Sequence, residues 1–323
     1  MANYLVTGAA GFIGARTSEL LMEQGHTVVG IDNINDAYDP RMKEYRLKKL
    51  MAKPGFKFHK RDISEKSVVE VFKGEKIDGV INLAARAGVR FSVENPWVFL
   101  ESNVMGTLNM LEVCKEYGCK KFILASTSSI YGENPPYPTP ETASSSEPMQ
   151  PYADSKKGAE ALAHSYHHLY DIDVTILRFF TVYGPAGRPD LAMLRFVQWI
   201  LEGKPVRING DGNQSRGFTY IDDIARGTIA ALKPVGYEII NLGGHEVISI
   251  NELVSLTEEL TGKKAVVEYG PPNLADMLTN QADVSKARQM LGWEPQFNLR
   301  QGMKNLIDWY MAERDWAKDI LTP

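Results

Sequence analysis

Short apolar runs alternate with segments of helical period through the first half of the chain, punctuated by Gly, Pro, Asn and Asp. Tyr4-Leu5-Val6-Thr7, Thr27-Val28-Val29-Gly30-Ile31 and the runs near 56–60, 78–83, 121–125 and 173–178 read as buried strands. Helical patterns follow, one to about Gln24 and others near 64–73, 97–118 and 151–170. That alternation predicts an α/β fold built on a doubly wound parallel sheet. After about residue 180 the rhythm turns irregular, with short strands, Pro/Gly punctuation and a last helical segment at 298–315. A smaller α/β domain is expected there. A strand and helix near 220–241 should return to the main sheet. The division then reads 1–180 plus about 216–243 for one domain, and about 181–215 with 244–323 for the other.

Gly8-Ala9-Ala10-Gly11-Phe12-Ile13-Gly14 sits between the first strand and the first helix, the context a phosphate-binding turn requires. Gly8 permits the tight turn, Gly11 a close approach of a pyrophosphate, and Gly14 close packing of helix on sheet. Free N–H groups and a partial positive charge at the helix start then face the phosphates. The second strand ends at Asp32, placed to accept hydrogen bonds from an adenosine ribose and to repel a 2′-phosphate. NAD is therefore expected rather than NADP, on a Rossmann-type sheet.

Tyr152 and Lys156 lie one helical turn apart in Tyr152-Ala153-Asp154-Ser155-Lys156, and Ser126-Thr127-Ser128-Ser129 ends the apolar run upstream. A free tyrosine titrates near pH ~10, so lowering its pKa by ~3 units takes roughly 4 kcal/mol of differential stabilisation. An ammonium beside a positively charged nicotinamide ring is suited to supply it. Turn, acid, Tyr/Lys pair and Ser/Thr cluster together resemble the extended short-chain dehydrogenase/reductase family over nearly the whole chain.

The resemblance implies further NAD contacts at Phe12, Ile13, Asn33, Asp62 and Ile63, at Leu83, Ala84 and Ala85 beneath the pyrophosphate, and at Asn103 behind the active site. It implies Tyr152 as base, with Lys156 keeping the phenolate competent and Thr127 holding the substrate oxygen. The two positions after Thr127 are Ser128 and Ser129, so no carboxyl is supplied there for water loss or for repelling a substrate carboxylate. Within the family this is similar to the group that epimerises UDP-glucuronate at C4, as are Ala84–Arg90, Arg178–Pro185 and Gly187–Asp190. Arg86 departs from that group's usual Gln, and Gly217 from an Asp. An arginine that galactose-type epimerases carry is missing near 271–276. Implied UDP-sugar contacts are Arg90, Ser128, Ser129, Thr181, Arg188, Asn209 and Arg216. Arg188 reads as a carboxylate contact or, alternatively, as a subunit or loop anchor. Epimerisation of a neutral UDP-hexose, decarboxylation of UDP-glucuronate and a non-catalytic NAD-binding scaffold stand as alternatives.

The 323 residues are 44% hydrophobic and 24% charged, ample for a large core, and a net charge of −4 gives no basic stripe for nucleic acid. No apolar run approaches the ~18–20 residues of a membrane span. The N-terminus reads straight into a strand, and Cys114 and Cys119 cannot form a disulfide framework, so a cytoplasmic, thiol-reducing setting is expected. Apolar residues on more than one face of 100–118 and 152–170 (Leu108, Leu111, Val113, Leu162, Tyr166) predict a homodimer. His164, His167 and His168 share a helix face, but no further ligand or supporting group is evident, so packing is expected and no metal. The charged run 39–53 reads as a solvated helix face, and the Pro/Ser-rich stretch 133–150 as a lid or a surface excursion.

Overall fold

The computed structural model describes residues 1–272 and 279–322. Segment 273–276, within the stretch where galactose-type epimerases carry their arginine, lies outside them. The strands are β1 (Asn3–Thr7), β2 (Thr27–Asp32), β3 (Phe56–Lys60), β4 (Gly79–Asn82), β5 (Lys121–Thr127), β6 (Asp173–Phe179), β7 (Thr181–Tyr183), β8 (Val206–Asn209), β9 (Ser215–Tyr220), β10 (Tyr237–Leu242), β11 (Glu246–Ser249) and β12 (Val267–Gly270). Seven form one parallel sheet in the order β10-β6-β5-β4-β1-β2-β3. Every residue of β4 and β5 is buried, as sheet strands covered on both faces require. The expected doubly wound α/β architecture is what the chain adopts.

Strand order reverses between β1 and β4, which opens a crevice at their carboxyl ends. Gly8 leaves β1 there, and Leu83-Ala84-Ala85 leaves β4 beside it. The remaining strands form two smaller sheets, β11-β9-β7 and β12-β8. β9 pairs with β7 and β11, so the chain's return to the main sheet begins with the helix Ile221–Ala230 and ends in β10.

The helix at 97–118 is less regular than its periodicity predicts. It runs as Trp97–Phe99, a π-helical turn at Leu100–Met105, then Gly106–Tyr117. The wide turn delivers Asn103, and Gly106 fits because a Cβ there would come 2.6 Å from Ile63 Cδ1. Segment 64–73 becomes a 3₁₀ helix, Lys66–Phe72. Leu111 and Val113 fill the protein's own core, and Leu162 and Tyr166 pack against it, so part of the excess apolarity is satisfied within one chain. The rings of His164 and His167 lie 5.0 and 5.5 Å from that of Tyr237.

Run 39–53 departs from the solvated face its charge pattern predicts. Its helix, Pro40–Met51, turns Lys43 and Arg46 inward, where both are buried, Lys43 against Asp32 and Asn35 and Arg46 against the glycine turn at Ala10. Segment 133–150 is fastened rather than free. Thr139 exchanges backbone hydrogen bonds with Gln281 and Asp283 (2.8 and 2.9 Å), and Tyr137 donates to Thr279 O.

Candidate active site

The glycine turn is shaped by what it must avoid. Gly8 has φ +66°, and a Cβ there would lie 2.9 Å from the Ala84 backbone. A Cβ on Gly14 would lie 2.1 Å from Gly8 O. The Gly11 N–H donates to Gly8 O at 2.8 Å, closing the turn ahead of the helix Phe12–Glu23, which begins with the Phe12 and Ile13 of the predicted cofactor set. Behind it, Thr7 donates to Asn82 (2.7 Å) and accepts from the Ala84 N–H (3.0 Å), which fixes the Leu83–Ala85 exit against β1.

Asp32 is buried at the end of β2, accepting from the N–H of Ala10 (3.2 Å) and of Ile34 (2.8 Å), and its remaining lone pairs are available to a ribose. Lys43 reaches within 3.7 Å of the same carboxylate. Burial lowers the Lys43 pKa, and the Asp32 charge resists the fall. Asn33 donates to Asp62 at 2.7 Å. Burial works to raise the Asp62 carboxyl, but donors on Ser64 and Asn33 hold it below its ordinary value. Ile63 packs beneath Gly106. A cradle that a Cβ would fill, a buried acid with spare lone pairs and an ionised Asp62 fit an adenine dinucleotide.

The residues expected to be catalytic come together at the carboxyl end of β5. Thr127 ends the strand and caps the short turn Ser128–Tyr131, its oxygen accepting from the Ser129 N–H (3.2 Å) and its hydroxyl donating to Ser129 Oγ (3.2 Å). The helix Pro151–Tyr170 carries Tyr152 and Lys156, and the Tyr152 ring stands edge-on to buried Phe99 at 6.0 Å. The Thr127 side chain acts on the Tyr152 phenol and favours its ionised form. Asn103 binds both polar groups of the Arg86 backbone (2.9 and 3.0 Å) and donates to Ser155 (2.8 Å), whose hydroxyl donates to Tyr152 O. The β4 exit and the catalytic helix are thus tied together.

Electrostatics here differ from the simple lysine-assisted picture. Lys156 is 3% exposed and donates to Ala125 O at 2.9 Å. Burial lowers its pKa to about 8 against the pull of Glu160. Burial raises the Tyr152 phenol, opposed by the Thr127 side chain and by the Arg188 charge. Glu160 is itself held by Arg178 in a buried fork (3.0 and 2.8 Å) and by Ser126 (2.6 Å).

Arg188 is forked on Asp190 through Nε (3.1 Å) and Nη2 (2.5 Å), with Nη2 also reaching Ala87 O (3.5 Å). These bonds tie Arg188 to its own loop and to the chain leaving β4. Nη1 makes no hydrogen bond among the described residues, which leaves donors for an anion. Burial opposes the Arg188 charge, but Asp190 more than compensates and its pKa is raised. Thr181 opens β7 just past the end of β6, the strand paired with β5. With the Asn209 amide oriented oxygen-inward, Arg90 donates to it twice (3.0 and 2.6 Å), joining two of the expected UDP contacts. Arg216 lies on β9, donates to Ser215 O (2.8 Å), and its charge is felt by Tyr137.

Gly217 has a steric reason to replace a larger residue, because a Cβ would meet Gly244 O at 2.2 Å. Asn280 was not anticipated. Its side-chain amide donates to Ser128 (3.0 Å), and its backbone carbonyl accepts from the Gly217 N–H (2.6 Å). It sits in an irregular segment, where no periodicity or motif marks it.

Residues 4–243 match the model of the NAD dependent epimerase/dehydratase family. A UDP-glucuronate 4-epimerase of Thermodesulfobacterium geofontis is 52% identical over 323 residues, 99% of each chain. The crystal structure of a Bacillus cereus UDP-glucuronic acid 4-epimerase with UDP-glucuronic acid and NAD superposes with TM-score 0.90 at 38% identity, covering 96% of this chain and 99% of that one. A Thermotoga maritima UDP-glucose 4-epimerase with UDP-glucose gives TM-score 0.90 at 32% identity over 97% and 99%.

Proposed function

The chain belongs to the NAD dependent epimerase/dehydratase family, within the extended short-chain dehydrogenases/reductases, and on that premise we propose that it interconverts UDP-glucuronate and UDP-galacturonate through a 4-keto sugar. One observation carries the choice of sugar. The Arg188 guanidinium, with donors to spare, acts electrostatically on the Tyr152 phenol, and the two positions after Thr127 are the neutral Ser128 and Ser129. A carboxylate at C6 suits that setting, and a second protein carboxylate there would not.

Bound NAD supplies hydride acceptance at C4 and the return of that hydride. The chain's own residues handle the proton and the pose. Tyr152 takes the proton from the 4-hydroxyl and later gives it back to the ketone oxygen. Thr127 holds that oxygen, and Lys156 supports the charged phenol. The sugar presents its other face by turning about its phosphate linkage while Arg90, Asn209 and Arg216 keep the UDP in place. Ser128, Ser129, Thr181 and Arg188 restrain the carboxylate. That restraint matters because a 4-keto uronate is a β-keto acid and loses CO₂ when its carboxylate bond aligns with the carbonyl.

Proton NMR of UDP-glucuronate with purified protein and no added cofactor tests the reading. Galacturonate signals are expected, and faster turnover of UDP-glucose would favour the neutral-hexose reading, which the likeness to the Thermotoga enzyme keeps in view. Tyr152→Phe should reduce turnover by about 10²–10⁴-fold.

The same proposal assigns NAD to residues 1–180 plus about 216–243, with β9 shared with the sugar side, and the UDP-sugar to 181–215 and 244–323. It includes a homodimer, supported by Trp97 (72% exposed), Leu100, Met105 and Leu169 standing out from the helices at 97–117 and 151–170. A monomer by gel filtration refutes that part. A cytoplasmic setting accords with the two free buried thiols.

A further inference from the structure

Arg46 belongs to the charged run that pattern alone assigns to solvent, yet it is 4% exposed and all its donor nitrogens are engaged. Nε and Nη2 donate to Ala186 O (2.9 and 2.7 Å), and Nη2 donates to Gly187 O (3.0 Å). Nη1 donates to Ala10 O (3.2 Å) and to the Tyr38 hydroxyl (2.8 Å). No carboxylate pairs with it among the described residues, so its charge is met by backbone carbonyls and one phenol. Three of these acceptors are backbone oxygens from two places. Ala10 belongs to the glycine turn, and Ala186 and Gly187 lead directly into Arg188.

The bonds fix peptide planes at both places. The Ala10–Gly11 unit is held at its oxygen by Arg46 and at its N–H by Gly8 O (2.8 Å). The Ala186–Gly187 unit is held at its oxygen by Arg46 and at its N–H by Gly184 O (3.1 Å). Ala186 sits at φ +53°, a left-handed conformation that a residue with a Cβ disfavours. Two hydrogen bonds to its carbonyl help hold that conformation. The Tyr38 ring lies 5.6 Å from the Arg46 guanidinium and 5.9 Å from that of Arg188, forming a wall common to both.

We propose that Arg46 is a positioning residue that fastens the Ala186–Arg188 loop to the dinucleotide turn, and so sets Arg188 where it meets the 6-carboxylate of a UDP-uronate. The proposal rests on the uronate reading given above. Arg46 touches no reacting atom, and its effect passes through Arg188. A role in stability alone would weaken UDP and UDP-glucuronate equally, whereas a role through Arg188 weakens only the ligand that carries the carboxylate.

The test is a double-mutant cycle in NAD-loaded protein, using calorimetric binding of UDP-glucuronate and of UDP to wild type, Arg46→Met, Arg188→Met and the double variant. Arg46→Met is expected to weaken UDP-glucuronate by about tenfold and UDP by less than about twofold, and to add less than about twofold to Arg188→Met. Arg46→Lys, which keeps the charge but not the planar fork, serves in the same cycle if the methionine variant does not fold. Multiplicative losses, or equal weakening of both ligands, overturn the assignment. Wild-type protein that prefers UDP-glucose to UDP-glucuronate overturns the substrate reading beneath it. A retained uronate preference with an additive cycle overturns the Arg46 role alone.

Discussion

Replacing Lys156 by methionine should abolish turnover while changing stability in a strongly pH-dependent way. The fall of the Lys156 pKa from 10.5 to about 8 means that the folded protein binds this proton less tightly than the unfolded chain does. Below pH 8 both states are protonated and the folded state carries the full cost of the buried charge. As pH rises from 8 to 10.5 the folded lysine is neutral while the unfolded one still holds its proton, so the cost is relieved. Linkage puts that cost at about 3 kcal/mol at pH 7 and about 1 kcal/mol at pH 9.5. The methionine variant has no such term. Urea unfolding of both proteins, freed of NAD, at pH 7 and pH 9.5 isolates it, because every other titration cancels in the difference. The variant's stability relative to wild type should fall by about 2 kcal/mol between the two pH values. Lost contacts, such as the bond to Ala125 O, shift both values together. A pH-independent difference would refute the reasoning.

Ser128→Ala and Thr181→Ala should release UDP-pentose from UDP-glucuronate, detected by NMR or mass spectrometry, and loss of turnover without decarboxylated product contradicts the restraint assigned to them. Glu160→Gln strands the buried Arg178 guanidinium and should destabilise the protein by roughly 3–5 kcal/mol in urea, and a loss under about 1 kcal/mol would show that the pair contributes little. Gly14→Ala drives a Cβ to within 2.1 Å of Gly8 O, so overpacking of about 1–3 kcal/mol is expected, with less NAD retained after desalting. Retention equal to wild type would mean that the turn yields more easily than its geometry implies.

The strands and the helix that carries Tyr152 and Lys156 were legible because their signals are local. An apolar run of four to seven residues, a glycine triplet and a Tyr/Lys pair one turn apart each state their geometry within a few positions. Lys43 and Arg46 were misread for the opposite reason. Their helix carries charge all round, and only contacts from distant segments decide which charges face inward. Arg46 meets Ala186 across 140 positions. Asn280 meets Ser128 across 152, and no residue near it marks the junction. The break at Leu100–Met105 was hidden because a π turn keeps helical periodicity on either side while rotating Asn103 toward the β4 exit. Gly217 was visible as a departure from the family pattern, but its cause, the carbonyl of Gly244, lies on another segment.

The order in which Tyr152 and Lys156 titrate limits what the lysine alone can do. Burial lowers the Lys156 ammonium to about 8 and raises the Tyr152 phenol above its ordinary value. By the pH at which the free phenol would ionise, its neighbour is already neutral and offers no charge to stabilise a phenolate. Arg188 remains charged throughout, but it also faces Asp190, so its help is partial. The lysine becomes effective only once the phenol has been brought below about pH 8 by other positive charge, since there the ammonium is still present. In a site that binds the oxidised dinucleotide, the positive nicotinamide ring is such a charge. Base strength therefore belongs to the assembled site and not to the Tyr-x-x-x-Lys spacing. The chain contributes a dry pocket, a threonine that fixes the oxygen, and a lysine whose charge matters only after the pocket is filled.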